Sequence, residues 1–277
     1  MRGTSTGTDL SAATADQWCS TTGPSASPAA NNWQRTRHEG DAGGVPNEIR
    51  VLVRDITLVV KAWPAQEDLR VPVVLLPATA ETAQDWDDVA SALAGSRTVY
   101  AVNLRGHGTS DWPGTYSIQL LADDVIGLLP QLTDQPVDLV AHSLGGLVAC
   151  NVASSHQDLI RRLVLEDVGL LRPRLSALPP RPPGVLQFDW RMVEQVRPEI
   201  DDPDPRWAEV VAGIRAVTLV IGGGPSSTVP QEQVADLAQT LRHGSLITID
   251  AGHLVHASQA EAFLHALQTF LDLEHPR

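Results

Sequence analysis

The feature that most constrains this chain is a repeated alternation of short apolar runs with amphipathic stretches from residue 48 onward. Val71–Leu76 and Val137–Ala141 are short and almost wholly apolar, the pattern of strands buried on both faces. Between them, residues 118, 121, 125, 128, 129 and 132 are all apolar and mark one face of a helix over Ile118–Leu132. The same reading gives a hairpin over Arg50–Arg54 and Ile56–Lys61, and strands at Thr98–Val102, Arg162–Glu166, Val217–Ile221 and Ser245–Ile249. It gives further helices at Ala83–Leu93, Leu144–Ser155, Gln231–Leu241 and Glu261–Leu273. Strands that alternate with helices specify an α/β fold: a mostly parallel central sheet with helices on both faces, whose ligands bind at the carboxyl ends of the strands.

Two stretches depart from the alternation. Residues 1–45 are rich in Ser, Thr, Ala, Gly, Asn and Pro without apolar periodicity, and are expected to be a flexible tail holding Cys19, ahead of one domain over 46–277. Residues 168–215 hold eight prolines, and the run Pro179–Gly184 is incompatible with regular helix or central strand. Short helices fit Phe188–Val196 and Pro205–Ile214, and the whole insertion is read as a small lid. Leu186, Phe188, Trp190 and Met192 within it are its candidate apolar pocket residues, against the plainer reading that they only pack the lid onto the body.

Composition removes several classes of function. Lys+Arg 20 against Asp+Glu 33 leaves a formal charge of −13, the wrong sign for nucleic acid or an anionic membrane surface. No apolar run is long enough to span a bilayer. Two cysteines, Cys19 and Cys150, make neither a disulfide scaffold nor a cysteine-built zinc site, and no metal-ligand spacing is present. The start of the chain lacks the apolar stretch of a signal peptide. The expectation is a cytoplasmic monomer or homodimer that acts on a small molecule and uses no metal or other cofactor.

The segment Val140-Ala141-His142-Ser143-Leu144-Gly145-Gly146 carries the chemistry. A strand runs into Ser143 and a helix starts immediately after it; small residues two before and two after the serine let strand and helix pack closely. The hydroxyl then stands above the sheet at a helix N-terminus, whose backbone N–H groups favour a developing negative charge. This arrangement resembles the G-x-S-x-G nucleophile elbow of the α/β-hydrolase superfamily, with Ala141 in place of the first glycine. Asn103-Leu104-Arg105-Gly106-His107-Gly108-Thr109-Ser110-Asp111 is similar to that superfamily's D-x-R-G-H-G-x-S segment, in which the histidine is structural. The resemblance runs over roughly residues 48–273.

What the resemblance implies can be placed residue by residue. Ser143 is the nucleophile. The Gly252-His253 pair just past the last strand puts His253 in the position of the general base, while His142, His243 and His256 take no catalytic part. The oxyanion hole takes one N–H from Leu144 and one from the loop after Val71–Leu76. That loop reads Pro77-Ala78-Thr79 where the superfamily has His-Gly, which makes Thr79 the second donor. The usual acid position, after Val217–Ile221, is Ser226 and has no charge. Some superfamily members take the acid from the end of the preceding strand, which here is Asp167; Glu166, or no carboxylate at all, are the alternatives. The implied activity is a serine hydrolase cleaving a carboxylic ester, thioester or lactone. The same fold also hosts lyases, cyclases, transferases and C–C bond hydrolases, and a weakly catalytic ligand-binding protein is the third reading. The run Gly222-Gly223-Gly224 lacks the spacing of a phosphate cradle.

Overall fold

A computed structural model describes residues 46–65, 70–175 and 178–273. The expected tail, residues 1–45 with Cys19, lies outside the described residues. A hairpin of β1 (Asn47–Val53) and β2 (Ile56–Trp63) opens the domain, turning at Arg54 with φ 57°. Then follow β3 (Val73–Leu76), α1 (Asp87–Leu93), β4 (Val99–Asn103), α2 (Ile118–Leu132), β5 (Val137–His142), α3 (Leu144–Ser155) and β6 (Ile160–Glu166). The chain continues through α4 (Trp190–Asp201), α5 (Trp207–Ala212), β7 (Val217–Gly222), α6 (Gln231–Thr240), β8 (Gly244–Thr248), α7 (Val255–Ser258) and α8 (Ala260–Asp272).

The eight strands form one sheet in the order β1-β2-β4-β3-β5-β6-β7-β8. β2 runs antiparallel to both β1 and β4; every pairing from β4 to β8 is parallel. The mostly parallel α/β architecture expected from the alternation is therefore the one observed. β3, β5 and β6 are buried along their whole length apart from Arg161, which explains the apolar runs at Val73–Leu76, Leu139–Ala141 and Leu163–Leu165. One core lies between the sheet and α2 to α6; a second, under α1, α7 and α8, fills the other face around Trp63, Trp86 and Phe263.

Local chemistry fixes several boundaries. Ser117 caps α2 by accepting the Leu120 N–H at 3.0 Å, and Asp189 caps α4 through the Arg191 N–H at 3.1 Å. The helix expected over Ala83–Leu93 is divided: Thr82 and Asp85 form a reciprocal cap on a 3₁₀ turn over Ala83–Trp86, and only then does α1 begin.

The segment 168–215 is stitched to the body at its middle. Gly108 donates to the Gln187 carbonyl at 2.7 Å, Asp189 N–H donates to the Gly106 carbonyl at 2.8 Å, and the Tyr116 hydroxyl donates to Asp189 Oδ2 at 2.7 Å. Beneath this seam Arg105 makes a buried two-bond ion pair with Asp124 on α2, at 2.6 and 2.8 Å. Met192, Val193 and Val196 of α4 are buried in the same core as α2 and α3, whereas Leu175, Leu178 and Val185 are exposed.

Candidate active site

β3, β5, β6, β7 and β8 run parallel, so their carboxyl ends lie along one edge of the sheet, and backbone strain is concentrated there. Outside the hairpin turn at Arg54, the non-glycine residues with positive φ among those described are Ala80 (70°), Ser143 (48°) and Asp167 (48°). They follow β3, β5 and β6 respectively. Such a conformation costs about 1–3 kcal/mol per residue and persists only where its surroundings impose it.

Ser143 has ψ −112° and joins β5 directly to α3. Its N–H is held by the Glu166 carbonyl at 3.1 Å, and its own carbonyl accepts from Gly146 and Leu147, which starts the helix. The two glycines after it are sterically required. A Cβ on Gly145 would stand 2.6 Å from the Pro77 carbonyl oxygen, and one on Gly146 would stand 2.3 Å from Val168. Gly145 thus lets the elbow press against the loop after β3, and Gly146 lets it press against the loop after β6.

The loop after β3 turns tightly, with the Glu81 N–H donating to the Ala78 carbonyl at 3.3 Å and Ala80 taking the left-handed conformation. Glu81 Oε2 accepts the Ala78 N–H at 2.8 Å, so the carboxylate braces the turn from inside. The backbone N–H groups of Thr79 and Leu144 donate to no other described residue.

Asp167 and His253 are brought together: His253 Nδ1 lies 2.7 Å from Asp167 Oδ2. The carboxylate is fully buried and is gripped by the loop after β7 and the first residue of α6. Its Oδ1 accepts from Gly223 N–H at 2.8 Å and Gln231 Nε2 at 3.0 Å, and its Oδ2 also accepts from the Ser227 hydroxyl. Burial alone would raise the Asp167 pKa, but the hydrogen bonds from His253, Ser227, Gln231 and Gly223 prevail and lower it, so the group is ionised. An ionised carboxylate only accepts hydrogen bonds, so His253 carries its proton on Nδ1, and Nε2 is the basic nitrogen.

The three-glycine run after β7 has its explanation in this contact. A Cβ on Gly223 would fall 2.0 Å from the Gly252 carbonyl oxygen and 3.2 Å from Asp167 Oδ1. Only glycine lets the His253 loop and the Asp167 carboxylate close on one another, and the Gly223 carbonyl accepts the N–H groups of both Ala251 and Gly252. Ser226, in the superfamily's usual acid position, donates instead to Asp250 Oδ1 at 2.9 Å.

Glu166, the alternative acid, is committed elsewhere. It is fully buried and accepts from His256 twice, at the backbone N–H (2.8 Å) and at ring Nδ1 (2.9 Å). His256 stacks on Trp86 with ring centroids 4.3 Å apart. His142, next to the elbow serine, points below the site: its Nδ1 is 3.0 Å from Glu81 Oε2 and its Nε2 is 2.8 Å from the His253 carbonyl oxygen. Burial would lower the His142 pKa, but the negative charges of Glu81 and Glu166 and the hydrogen bonds to Glu81 and the His253 carbonyl override it and push it up to about 10. Glu81 answers in kind: burial would raise it, and His142, His256 and the Ala78 N–H bring it down to about 2. Ligand atoms of His142, Glu166 and His256 lie within 4.8 Å of one another, but the hydrogen bonds just described occupy all three side chains.

His107 is enclosed on every side. Burial lowers its pKa to about 4, so it is neutral, with Nδ1 at 3.0 Å from the Arg105 carbonyl and its ring 6.0 Å from that of Phe188. Of the other pocket candidates, Met192 is fully buried, while Leu186 and Trp190 are half-buried. The sequence reading did not find Glu81, Ser227 or Gln231 as partners of the site. Glu81 alone left a signal, a carboxylate five residues beyond a fully apolar strand.

Residues 71–213 match the family described as alpha/beta hydrolase fold, and the chain belongs to that family. An esterase of Mycobacterium tuberculosis is 27% identical over 250 residues, covering 72% of this chain and 82% of that protein. A 3-hydroxybutyrate-oligomer hydrolase of Cupriavidus necator is 34% identical over 98 residues; the match spans 34% of this chain and 32% of that protein. Among solved structures, the enol-lactonase of Burkholderia xenovorans LB400 superimposes with a TM-score of 0.71 at 21% identity, over 81% of this chain and all (100%) of that one. That likeness is one of fold. No helix among the described residues is long and apolar enough to cross a membrane.

Proposed function

We propose that this protein is a serine hydrolase that cleaves a carboxylic ester, thioester or lactone of a small, moderately hydrophobic substrate through an acyl-enzyme. The observation that carries the reading is the 2.7 Å contact between His253 Nδ1 and the buried Asp167 carboxylate, at the same sheet end as the strained Ser143 elbow. With Nδ1–H fixed on Asp167, His253 Nε2 takes the Ser143 proton as the oxygen attacks the carbonyl, then returns it to the leaving alcohol or thiol. The negative charge on the carbonyl oxygen is met by the N–H groups of Leu144, at the start of α3, and Thr79. In the second half-reaction His253 deprotonates water, which releases the acid and regenerates Ser143. The segment 168–215 acts as the lid, with Leu186, Phe188 and Trp190 on the substrate side, while Met192 packs it onto the core under α2 and α3. That a relative of this chain is an esterase supports the ester class.

Turnover of p-nitrophenyl acetate and butyrate by wild type, Ser143→Ala and His253→Ala tests the proposal. Wild type should turn over both esters, and either substitution should remove at least about 10³-fold of kcat. Activity undiminished in Ser143→Ala would overturn it.

A further inference from the structure

The buried ring of His142 has no role in the acyl-transfer chemistry, yet it touches both loops that must be held in register for it. Its Nδ1 faces Glu81 at 3.1 and 3.0 Å. Glu81 in turn fixes the Ala78 N–H at 2.8 Å, one residue before the proposed oxyanion donor Thr79. Its Nε2 faces the backbone carbonyl of His253 at 2.8 Å. The rings of His142 and His253 are 4.6 Å apart between centroids. Both partners of His142 are acceptors, since an ionised carboxylate and a carbonyl have no proton to give, so both ring nitrogens donate and the ring is an imidazolium.

We propose that His142 is a positioning residue: clamped between Glu81 and the carbonyl of His253, it locks the oxyanion loop after β3 to the loop that carries the general base. The inference rests on the serine-hydrolase reading. It adds a physical link between two groups that must move together: the donor that meets the oxyanion and the base that takes the serine proton. A looser link displaces one relative to the other, and a displacement of about 1 Å is worth roughly 10²-fold in rate.

The groups facing His142 are Glu81 from the loop after β3, Glu166 from β6, His253 from the loop after β8 and His256 from α7, whose ring centroid is 5.4 Å away. The Glu81 carboxylate makes the clamp cationic. With glutamine in its place a neutral network satisfies the same atoms: the Ala78 N–H donates to the amide oxygen, the amide NH₂ donates to His142 Nδ1, and Nε2–H still donates to the His253 carbonyl. Glu81→Gln therefore keeps the clamp and removes its dependence on the imidazolium proton. His142→Ala in the Glu81→Gln background removes the clamp without stranding a buried carboxylate.

The test compares wild type, Glu81→Gln and Glu81→Gln/His142→Ala on p-nitrophenyl acetate from pH 6 to about 10.5, with Tm measured for each. The double variant should fall about 10²-fold in kcat below Glu81→Gln, with KM within about 2-fold. Wild type should lose kcat as pH rises through about 10, where His142 gives up its proton; Glu81→Gln should lack that limb. A double variant within about 3-fold of Glu81→Gln, or one alkaline limb shared by wild type and Glu81→Gln, overturns the proposal. If the double variant does not fold, ¹⁵N NMR of the wild-type histidines decides: His142 should carry protons on both nitrogens at pH 8, and a neutral tautomer overturns the clamp. Failure of the serine-hydrolase reading has a separate signature, a wild type that turns over no ester and is not labelled at Ser143 by a fluorophosphonate.

Discussion

Replacing Asp167 by asparagine changes one atom in the candidate site and should remove nearly all turnover. The carboxylate faces donors on every side: His253 Nδ1 and the Ser227 hydroxyl at Oδ2, and Gly223 N–H and Gln231 Nε2 at Oδ1. Asparagine offers one acceptor and one donor in the same space. The Gly223 N–H is fixed in the backbone and keeps the amide oxygen on its side, so the NH₂ group turns toward His253. A donor there accepts nothing from Nδ1, and His253 answers by moving its proton to Nε2, the nitrogen that must receive the serine proton. The base is then in the wrong tautomer with its geometry intact. In a triad of this type that loss is about 10⁴-fold in kcat, or about 5.4 kcal/mol of transition-state stabilisation. The assay is steady-state hydrolysis of p-nitrophenyl acetate near neutral pH, with KM for the ester expected to hold within about 3-fold, because Asp167 does not reach the substrate. An Asp167→Asn protein that folds and keeps kcat within about 10-fold of wild type would refute the assignment of the acid and the tautomer argument with it.

Other consequences follow from the same packing. Gly223→Ala places a methyl group 2.0 Å from the Gly252 carbonyl oxygen, so the His253 loop must retreat from Asp167; kcat should drop by at least about 10²-fold, with a lowered Tm in thermal melts. Gly146→Ala collides with Val168 at 2.3 Å, and Val168→Ala introduced alongside it should restore part of both stability and activity. Glu81 titrates at 4.5 when unperturbed and at about 2 in the folded protein, so the unfolded chain binds its proton first. The stability it contributes is complete above pH 4.5 and is lost as pH falls through about 2. Glu81→Gln should flatten the acid side of a urea-unfolding pH series in that window, and an unchanged slope would count against an ionised, buried Glu81.

Much of this architecture was legible because periodicity reports burial. The helix α2 has the bounds that its apolar face predicts, since Ser117 supplies a cap just where the face begins. The strands were found within two residues at their ends, except that β1 starts at Asn47, three residues before the expected Arg50. At the start of β3, Pro72 lacks an N–H for the ladder and the strand begins at Val73 rather than Val71. Ser143, Asp167 and His253 were picked out by the resemblance to the superfamily, whose motif positions fall at the carboxyl end of a strand or just beyond it, and alternation located those strand ends. The cradle of the Asp167 carboxylate was not legible. Gly223, Ser227 and Gln231 reach Asp167 across 56 to 64 residues of sequence, and nothing local distinguishes a glycine run that admits a neighbouring backbone from an ordinary loop. The pairing of His142 with Glu81, 61 residues apart, was hidden likewise, because a histidine beside the elbow serine reads the same whether it faces solvent or a buried carboxylate.

The central claim is that Ser143 is a nucleophile activated by His253. Labelling the folded protein with a fluorophosphonate and mapping the modified peptide by mass spectrometry tests it most directly. Stoichiometric modification at Ser143 that disappears in His253→Ala and falls sharply in Asp167→Asn is the result the account predicts. A folded wild type that stays unmodified, or that is modified at a different residue, would contradict it.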